Sequence, residues 1–549
     1  MHIDLMKAPT DLALHTDVAI IGAGAAGITA ARRLIAQGHR VMLLESGGTD
    51  HAAWSADLNA GRNIGEDYYA LDHARLRFFG GTTAIWGGRC AELDPIDLER
   101  RPWVAHSGWP VSHAELRRYY DDAWGLFDLG GDRPGFEDLA AHGVHFPDFD
   151  GDMLNGRLWT FDGKFSRFQY ASCDDLRIEP RCTIVTHATV SEIIPDRGGR
   201  AVNCVTAVAP GGRRLIVYPR AVLLAAGGLE NPRLLLASNL GNQHDQVGRY
   251  FMEHPHARGG RIVTHRPWAL LKAFGRPHMV DGRKVAALIA PSERLQAEEE
   301  ILNSSLTIVG RQPEAARQSW GMRAYGRIKH DAAPTKVGRT AWMHAKKTVG
   351  WLQRQVDPFR PWALHKLGQL DLTMLVRAEQ APNPLSRVTL SNDRDAFGMR
   401  RLQLDWRFVD QDKRSVERLV WAVDHELKRL GLGHAEPADW LFDPAQAWRT
   451  DPLVSAHPIG GYHHMGTTRM SADPRHGVTD ADGRVHGLAN LYVAGSSLFP
   501  TSGWANPTLT IAALALRTAD RLSAALNRPM MVGGSRDEVE LPPARSRVA

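Results

Sequence analysis

The sequence predicts an α/β protein: a Rossmann-like domain interrupted by an inserted α+β domain. Three observations predict it. A strand–glycine turn–helix–strand unit opens the chain at residues 17–45. An apolar, strand-like run ending in small residues returns at 490–497. Between about 255 and 455 the composition shifts toward Trp, Arg and Lys, with no glycine motif of the first kind. A chain of 549 residues is long enough for two large, intertwined domains. The expected partition is 14–254 with 456–526 for the first domain and 255–455 for most of the second. Residues 527–549, which mix Gly, Pro and charge, are expected to be a disordered tail.

Residues 17–21, Asp-Val-Ala-Ile-Ile, have the pattern of a short buried strand. Residues 25–37 read as a helix with Leu34 and Ile35 on its inner face and Gly38 as its stop. Val-Met-Leu-Leu at 41–44 is the next strand, with Glu45 at its end, which completes a βαβ unit. Residues 203–209 and 214–218 flank Pro210-Gly-Gly212 and read as a hairpin. Residues 221–226 read as a separate buried strand, followed by a Gly227-Gly228 turn and a helix start at 229–236 with Pro232 early in it.

Composition narrows the function. Hydrophobic residues make up 43% and charged residues 23%, enough for a sizeable core. A net charge of +5 is small for this length, and no Lys/Arg block interleaves with aromatics, which argues against a nucleic-acid partner. Cys90, Cys173, Cys182 and Cys204 form no C-x-x-C pair, so no metal site is expected, and their scarcity fits a reducing compartment. The first 17 residues carry charge and lack an apolar stretch, so no signal peptide is read and a cytoplasmic location is expected. No run is long and apolar enough to span a membrane.

The glycine turn, Gly22-Ala-Gly24-Ala-Ala-Gly27, has a specific physical reading. Gly22 permits the tight turn, Gly24 lets a pyrophosphate approach the backbone, and Gly27 allows close helix–strand packing. Ala25 and Ala26 open the helix, whose unpaired N–H groups and positive dipole end favour phosphate. Glu45, followed by Ser46, suits ribose hydroxyls. The motif serves FAD and NAD alike. A second run, Phe78-Phe-Gly80-Gly81-Thr82-Thr83-Ala-Ile85-Trp86-Gly87-Gly88-Arg89, suits a loop laid along a large planar or phosphate-bearing ligand. Its apolar members would be unusual company on a solvent-facing loop. Ala226 and Gly227, at the end of the buried strand, join this candidate cofactor set.

Near the C-terminus, His463 and His464 lie in Gly-Tyr-His-His-Met-Gly-Thr-Thr, and Asn506 in Gly-Trp-Ala-Asn-Pro-Thr. Oxidising an alcohol by hydride removal needs a hydride acceptor, a base for the hydroxyl proton and a donor that fixes the oxygen. Imidazole titrates near pH 6.5 and is the usual base. A carboxamide can hold the oxygen without competing for the proton. In an extended segment His464 points opposite to His463 and takes a structural role. His254 is expected to be structural or supporting, and His486 has no role.

At these residues the chain resembles the glucose–methanol–choline oxidoreductases, a flavoprotein family. The likeness covers the βαβ unit, the 80–89 loop, residues 221–236, residues 382–391 and the stretch 463–522. The Ser-Gly-Trp-Ala-Asn-Pro-Thr-Leu-Thr run is similar to the branch that holds pyranose oxidases and fructose or gluconate dehydrogenases. The resemblance implies FAD as cofactor and an inserted substrate domain of the FAD-linked reductase type. It implies His463, first residue of an H-x-x-G-T pattern, as base and Asn506 as its partner. Gly495 and Ser496 would run under the flavin near its pyrophosphate, and Asn506, Pro507 and Thr508 would also border the cofactor. The implied reaction is hydride transfer from a CH–OH group of a sugar, glycoside or other alcohol to flavin N5. The position of the flavin-linking histidine of fungal-type pyranose oxidases is Ile85 here, so FAD is expected to be non-covalent.

Oxygen, a quinone or a redox protein are all open as electron acceptor, and so is the oligomeric state. Two rival classes stand beside this reading: an NAD-dependent dehydrogenase, and a non-catalytic flavin-binding or membrane-docked protein. The second rests on Trp342, Ala345, Val349, Leu352 and Val356 at helical spacing, with Lys346, Lys347 and Arg354 elsewhere on the wheel and Trp362 and Lys366 beyond. That segment is expected to pack on its own domain.

Overall fold

The computed structural model describes residues 1–164, 166–313, 359–455 and 457–528. An eight-stranded sheet forms its nucleotide-binding half. The strands run His2–Asp4, Cys182–Thr186, Val41–Leu44, Leu12–Ile21, Arg214–Leu224, Val202–Val208 and Thr189–Pro195, with Leu491–Val493 beside the end of Arg214–Leu224. The pairs around Leu12–Ile21 are parallel, and the last two strands are antiparallel. Parallel strands are covered on both faces and so read as continuous apolar runs. Accordingly, Val18–Ile21 and Val41–Leu44 are buried throughout. The helices Ala25–Ala36 and Thr508–Leu526 pack on this sheet, with Ala26, Ala30, Ala31, Ala512, Ala515 and Ala519 among the residues turned inward.

The predicted βαβ unit is present, with the strand longer at its start. The expected hairpin forms, but residues 214–218 and 221–226 belong to one strand, Arg214–Leu224. Its neighbour on one side changes midway. Residues 214–217 pair with Val202–Val208, and residues 222–224 with Leu491–Val493. Pro219 falls in the gap, so its missing N–H costs no ladder bond on that side.

The second large sheet is antiparallel. Its order is His434–Pro437, His256–Val263, Asp371–Arg377, Ser305–Arg311, Arg283–Pro291, Leu154–Phe161 and Arg89–Cys90, with His278–Val280 beside Arg283–Pro291. It thus takes in 89–90 and 154–161, which the sequence reading grouped with the first domain. One face packs Ala257, Ile289, Leu306, Ile308, Met374 and Val376 against Val416, Leu419, Val420 and Val423 of the helix Asp410–Arg429. Side chains alternate across a strand, so the opposite face carries Arg89, Trp159, Leu288, Thr307 and Arg377. Trp159 and Leu288 join the core of the first sheet.

Most of the amphipathic 342–366 stretch, and the tail from 529, lie outside the described residues. Trp362 falls on the helix Arg360–Lys366 and is exposed. No described helix is long and apolar enough to cross a membrane. All four cysteines are buried and unpaired, and no group of three or more His, Cys, Asp or Glu able to hold a metal occurs among the described residues.

Candidate active site

A long cavity opens where the parallel strands end. Gly22, Gly24, Ala25, Ala26, Glu45, Ser46, Gly80, Gly81, Thr82, Thr83, Ala226, Gly227, Gly495 and Ser496 line it. The three motif glycines differ as the turn requires. Gly22 has φ +104, and a Cβ there would lie 2.7 Å from the Ala225 carbonyl oxygen. A Cβ on Gly27 would lie 2.0 Å from the Gly22 oxygen, whereas one on Gly24 would meet nothing within 4 Å. The open space at Gly24 faces the cavity. The helix Ala25–Ala36 starts there with no side-chain cap, so its first N–H groups are left for a ligand. These features fit the pyrophosphate of a dinucleotide. Glu45 accepts the Ala23 N–H at 3.0 Å and the Gly47 N–H at 2.9 Å, which holds both loops around the cavity.

Other predicted cofactor residues lie outside this lining. Trp86 packs on Phe127, 5.6 Å between ring centroids. Gly87 and Gly88 carry the chain into Arg89, and Pro507 and Thr508 start the last helix. Phe78 and Phe79 are buried, but Ile85 is 53% exposed, so one apolar member of the loop faces solvent after all.

Sequence reasoning missed an ionic knot at the cavity wall, because no motif joins its members. Glu230 meets Arg75 at 3.1 Å, Arg77 at 2.8 Å and Arg233 at 3.1 Å, and Arg233 also meets Asp395 at 2.7 Å. Burial alone would raise the Glu230 pKa, but Arg77, Arg233 and Arg75 outweigh it and bring it down to about 2.

The C-terminal pair comes together. Asn506 Nδ2 lies 3.2 Å from His463 Nε2. The segments around His254 and His463 pair as short antiparallel bridges, Met252 with Met465 and Pro255 with Gly460. This sets His254 Nδ1 2.9 Å from His463 Nδ1, and His254 Nε2 2.8 Å from the Gly503 carbonyl oxygen. Gly503 has φ +56, and a Cβ there would strike Asp97 at 2.6 Å, so only glycine presents this carbonyl.

The tautomers follow from these contacts. A carbonyl only accepts, so His254 carries its proton on Nε2. Burial lowers the His254 pKa to about 4, so the ring is neutral and its Nδ1 is an acceptor. His463 therefore donates from Nδ1, which leaves Nε2 unprotonated, an acceptor facing the Asn506 amide. Burial first, then His254, His256, His464 and Arg89, push the His463 pKa well below its ordinary value.

Glu253 anchors the pair. It accepts the Tyr68 hydroxyl at 2.6 Å, the His254 N–H at 2.9 Å, the Gly461 N–H at 3.0 Å and the His463 N–H at 2.8 Å. Tyr462, just before His463, sits in the left-handed region at φ 61, a strained backbone that this anchoring holds. His464 turns away and lies 3.0 Å from Tyr68 Oη. His486 lies 3.0 Å from the Ser471 carbonyl oxygen, far from the pair in role. Glu253 and Tyr68 carried no signal in the sequence. His254 is more than a supporting residue, since it touches the imidazole directly.

A cavity that fits a dinucleotide, lined at one point by His464, the residue next to His463, together with the His463–Asn506 pair, defines a flavin-type oxidoreductase site. Residues 17–298 match the FAD dependent oxidoreductase family, and residues 382–515 match the family described as GMC oxidoreductase. The chain therefore belongs to the FAD-dependent oxidoreductases, of the GMC type. It is similar to 2-methyl-1,2-propanediol dehydrogenase of Mycolicibacterium austroafricanum, 24% identical with 94% of this chain and 96% of that protein covered. It is also similar to 6'''-hydroxyparomomycin C oxidase of Streptomyces lividus, 27% identical over 93% and 92%, and to the fructose dehydrogenase large subunit of Gluconobacter japonicus, 23% identical over 93% and 98%. Among solved structures, pyridoxine 4-oxidase from Mesorbium loti shares the fold, with a TM-score of 0.55 at 18% identity over 92% and 99% of the two chains.

Proposed function

We propose that this chain oxidises the CH–OH group of a sugar, glycoside or other alcohol to a carbonyl, with His463 as base and Asn506 as the donor that holds the oxygen. One observation carries the assignment: the His254–His463–Asn506 chain leaves the lone pair of His463 Nε2 next to an amide N–H. Two atoms 3.2 Å apart can both reach one hydroxyl oxygen at hydrogen-bond distance. The hydroxyl then gives its proton to Nε2 while Asn506 Nδ2 donates to the oxygen. As the imidazole becomes cationic, its Nδ1–H bond to His254 strengthens and keeps the ring oriented. Bound FAD supplies the hydride acceptor.

Relatives named for a diol, an aminoglycoside and fructose support an alcohol or sugar as substrate. Ile85, where a flavin link would need histidine, supports non-covalent FAD. Gly80, Gly81, Gly495 and Ser496 border the cofactor in this reading, and the two large sheets support a discontinuous FAD domain with a substrate domain that also draws in 89–90 and 154–161. Oxygen, a quinone or a redox protein then takes the electrons. Anaerobic mixing with a panel of sugars, glycosides and alcohols tests the reading. Bleaching of the flavin band by at least one, abolished in His463→Ala, is expected; no bleaching by any of them would overturn it.

A further inference from the structure

The face of the antiparallel sheet turned toward the site carries two guanidinium groups with no carboxylate partner. Arg89 and Arg377 both lie against the Trp159 indole, their guanidinium carbons 5.1 and 4.9 Å from its ring, and Arg89 also lies 5.5 Å from the Phe161 ring. Among the described residues neither makes an ion pair. Arg89 donates no hydrogen bond, and its Nε is buried without a partner. Arg377 has one bond, Nη1 to Thr307 Oγ1 at 3.3 Å. The indole N–H of Trp159 is also buried without a partner. The nearby Glu379 is already taken by Arg101, at 2.8 and 2.5 Å. The cluster belongs to the site: Arg377 pairs in register with His256, two residues from His254, and the charge of Arg89 reaches His463.

Arg89 and Arg377 are half-buried, and proteins rarely keep such charges unpaired, since taking an ion out of water is costly. Here two like charges share one aromatic wall, and each makes the other more costly. Desolvation lowers the pKa of both, and for Arg377 the charge of Arg89 adds to it. Among the described residues no anion answers this cluster, and a bound one would. Two planar forks and an indole N–H offer the donors that a carboxylate or phosphate takes.

We infer that Arg89, Arg377 and Trp159 form an oxyanion subsite, and that the substrate is an alcohol or sugar carrying a carboxylate or phosphate group. This rests on the alcohol-oxidising reading of His463 and specifies its substrate class. An aminoglycoside, with like charge, is disfavoured at this wall.

The FAD-loaded enzyme tests it in two arms. In the first, acetate and inorganic phosphate are titrated against chloride at matched ionic strength, with tryptophan fluorescence and melting temperature as readouts. A saturable change and a rise in melting temperature are expected in the wild type and absent in Arg377→Met. Arg377→Met removes a charge that has no carboxylate partner among the described residues, so it should melt at or above the wild-type temperature. A lower value would show that the chain itself holds Arg377, and would overturn the inference. In the second arm, anaerobic flavin reduction compares glucuronate and glucose 6-phosphate with glucose, and gluconate with sorbitol. A charged member of a pair should be favoured about tenfold or more in kcat/KM, the worth of one or two charge-assisted bonds, and the preference should fall toward one in Arg377→Met. Which charged member wins separates carboxylate from phosphate. Reduction by neutral alcohols alone, with no saturable anion binding, sinks the subsite but leaves the role of His463 standing. Anion binding with no alcohol reducing the flavin sinks the alcohol reading but leaves the subsite.

Discussion

Two polar clusters flank the cofactor cavity and are built on opposite principles. Around Glu230, three arginines meet one carboxylate and Arg233 reaches a second. Around His463, the groups are less fully matched: the unprotonated Nε2 has only the Asn506 amide against it, and the Arg89 Nε–H and Trp159 N–H are without partners. The first cluster spends its charges on holding the helix Glu230–Ala237 to the rest of the fold. The second keeps them for something that arrives. A satisfied buried network stabilises, whereas an unsatisfied one marks chemistry.

The comparison can be broken by experiment. The largest effect is expected from His463→Ala, which should slow flavin reduction by substrate about 100-fold or more while the melting temperature stays close to wild type. A rate near wild type in stopped flow would remove His463 from the open cluster. Glu230→Gln should do the opposite. It strands buried arginines and should cost roughly 3–5 kcal/mol in urea unfolding; a loss near zero would mean the closed cluster is not structural.

The same carboxylate sets a pH dependence. The folded pKa of Glu230, about 2, lies below the ordinary glutamate value of 4.5. Its stabilisation is therefore complete above about pH 4.5 and lost as pH falls toward 2. Acid unfolding followed by circular dichroism should show this limb, and Glu230→Gln should flatten it.

Asn506→Ala should lower the reduction rate by about tenfold to a hundredfold, the worth of one hydrogen bond to developing charge. The smallest effect should come from His254. Replacing it by Phe removes the acceptor for His463 Nδ1–H and should slow reduction by roughly tenfold or less, whereas His254→Asn, which restores an acceptor, should recover part of it. The pH profile reads the same contact. His463 must be neutral to accept a proton, and its pKa is depressed. Activity should thus fall only as pH drops well below 6.5, and in His254→Phe this acid limb should move. An unmoved limb would reduce His254 to a packing residue.

The two halves of the site were unequally legible in the sequence. The nucleotide cavity was readable because its physics is local. The three glycines fall within six residues: Gly22 takes the φ +104 of the turn, Gly27 makes room for the Gly22 carbonyl and Gly24 leaves the cavity open, and an apolar run such as 41–44 announces a covered parallel strand. His463 and Asn506 were readable as chemistry, by residue type and family pattern, although 43 positions separate them in the chain. The longer strand at Arg214–Leu224 was not, since its extent depends on which neighbour lies beside each half. Nor were Trp86, Gly87 and Gly88 distinguishable from Gly80–Thr83, because composition cannot say which side of a loop meets the cavity.

By itself, then, the chain's order of residues determined the cofactor turn, the covered strands and the kinds of groups available for proton transfer. Only the tertiary structure decided which imidazole nitrogen is unprotonated and which arginines lack a carboxylate partner. Both depend on what lies across the fold: the Gly503 carbonyl behind His254, Glu253 beneath His463, and the absence of a carboxylate opposite Arg89 and Arg377 among the described residues. A protonation state or an unpaid charge is a relation between side chains brought together from distant strands, and no local pattern records it.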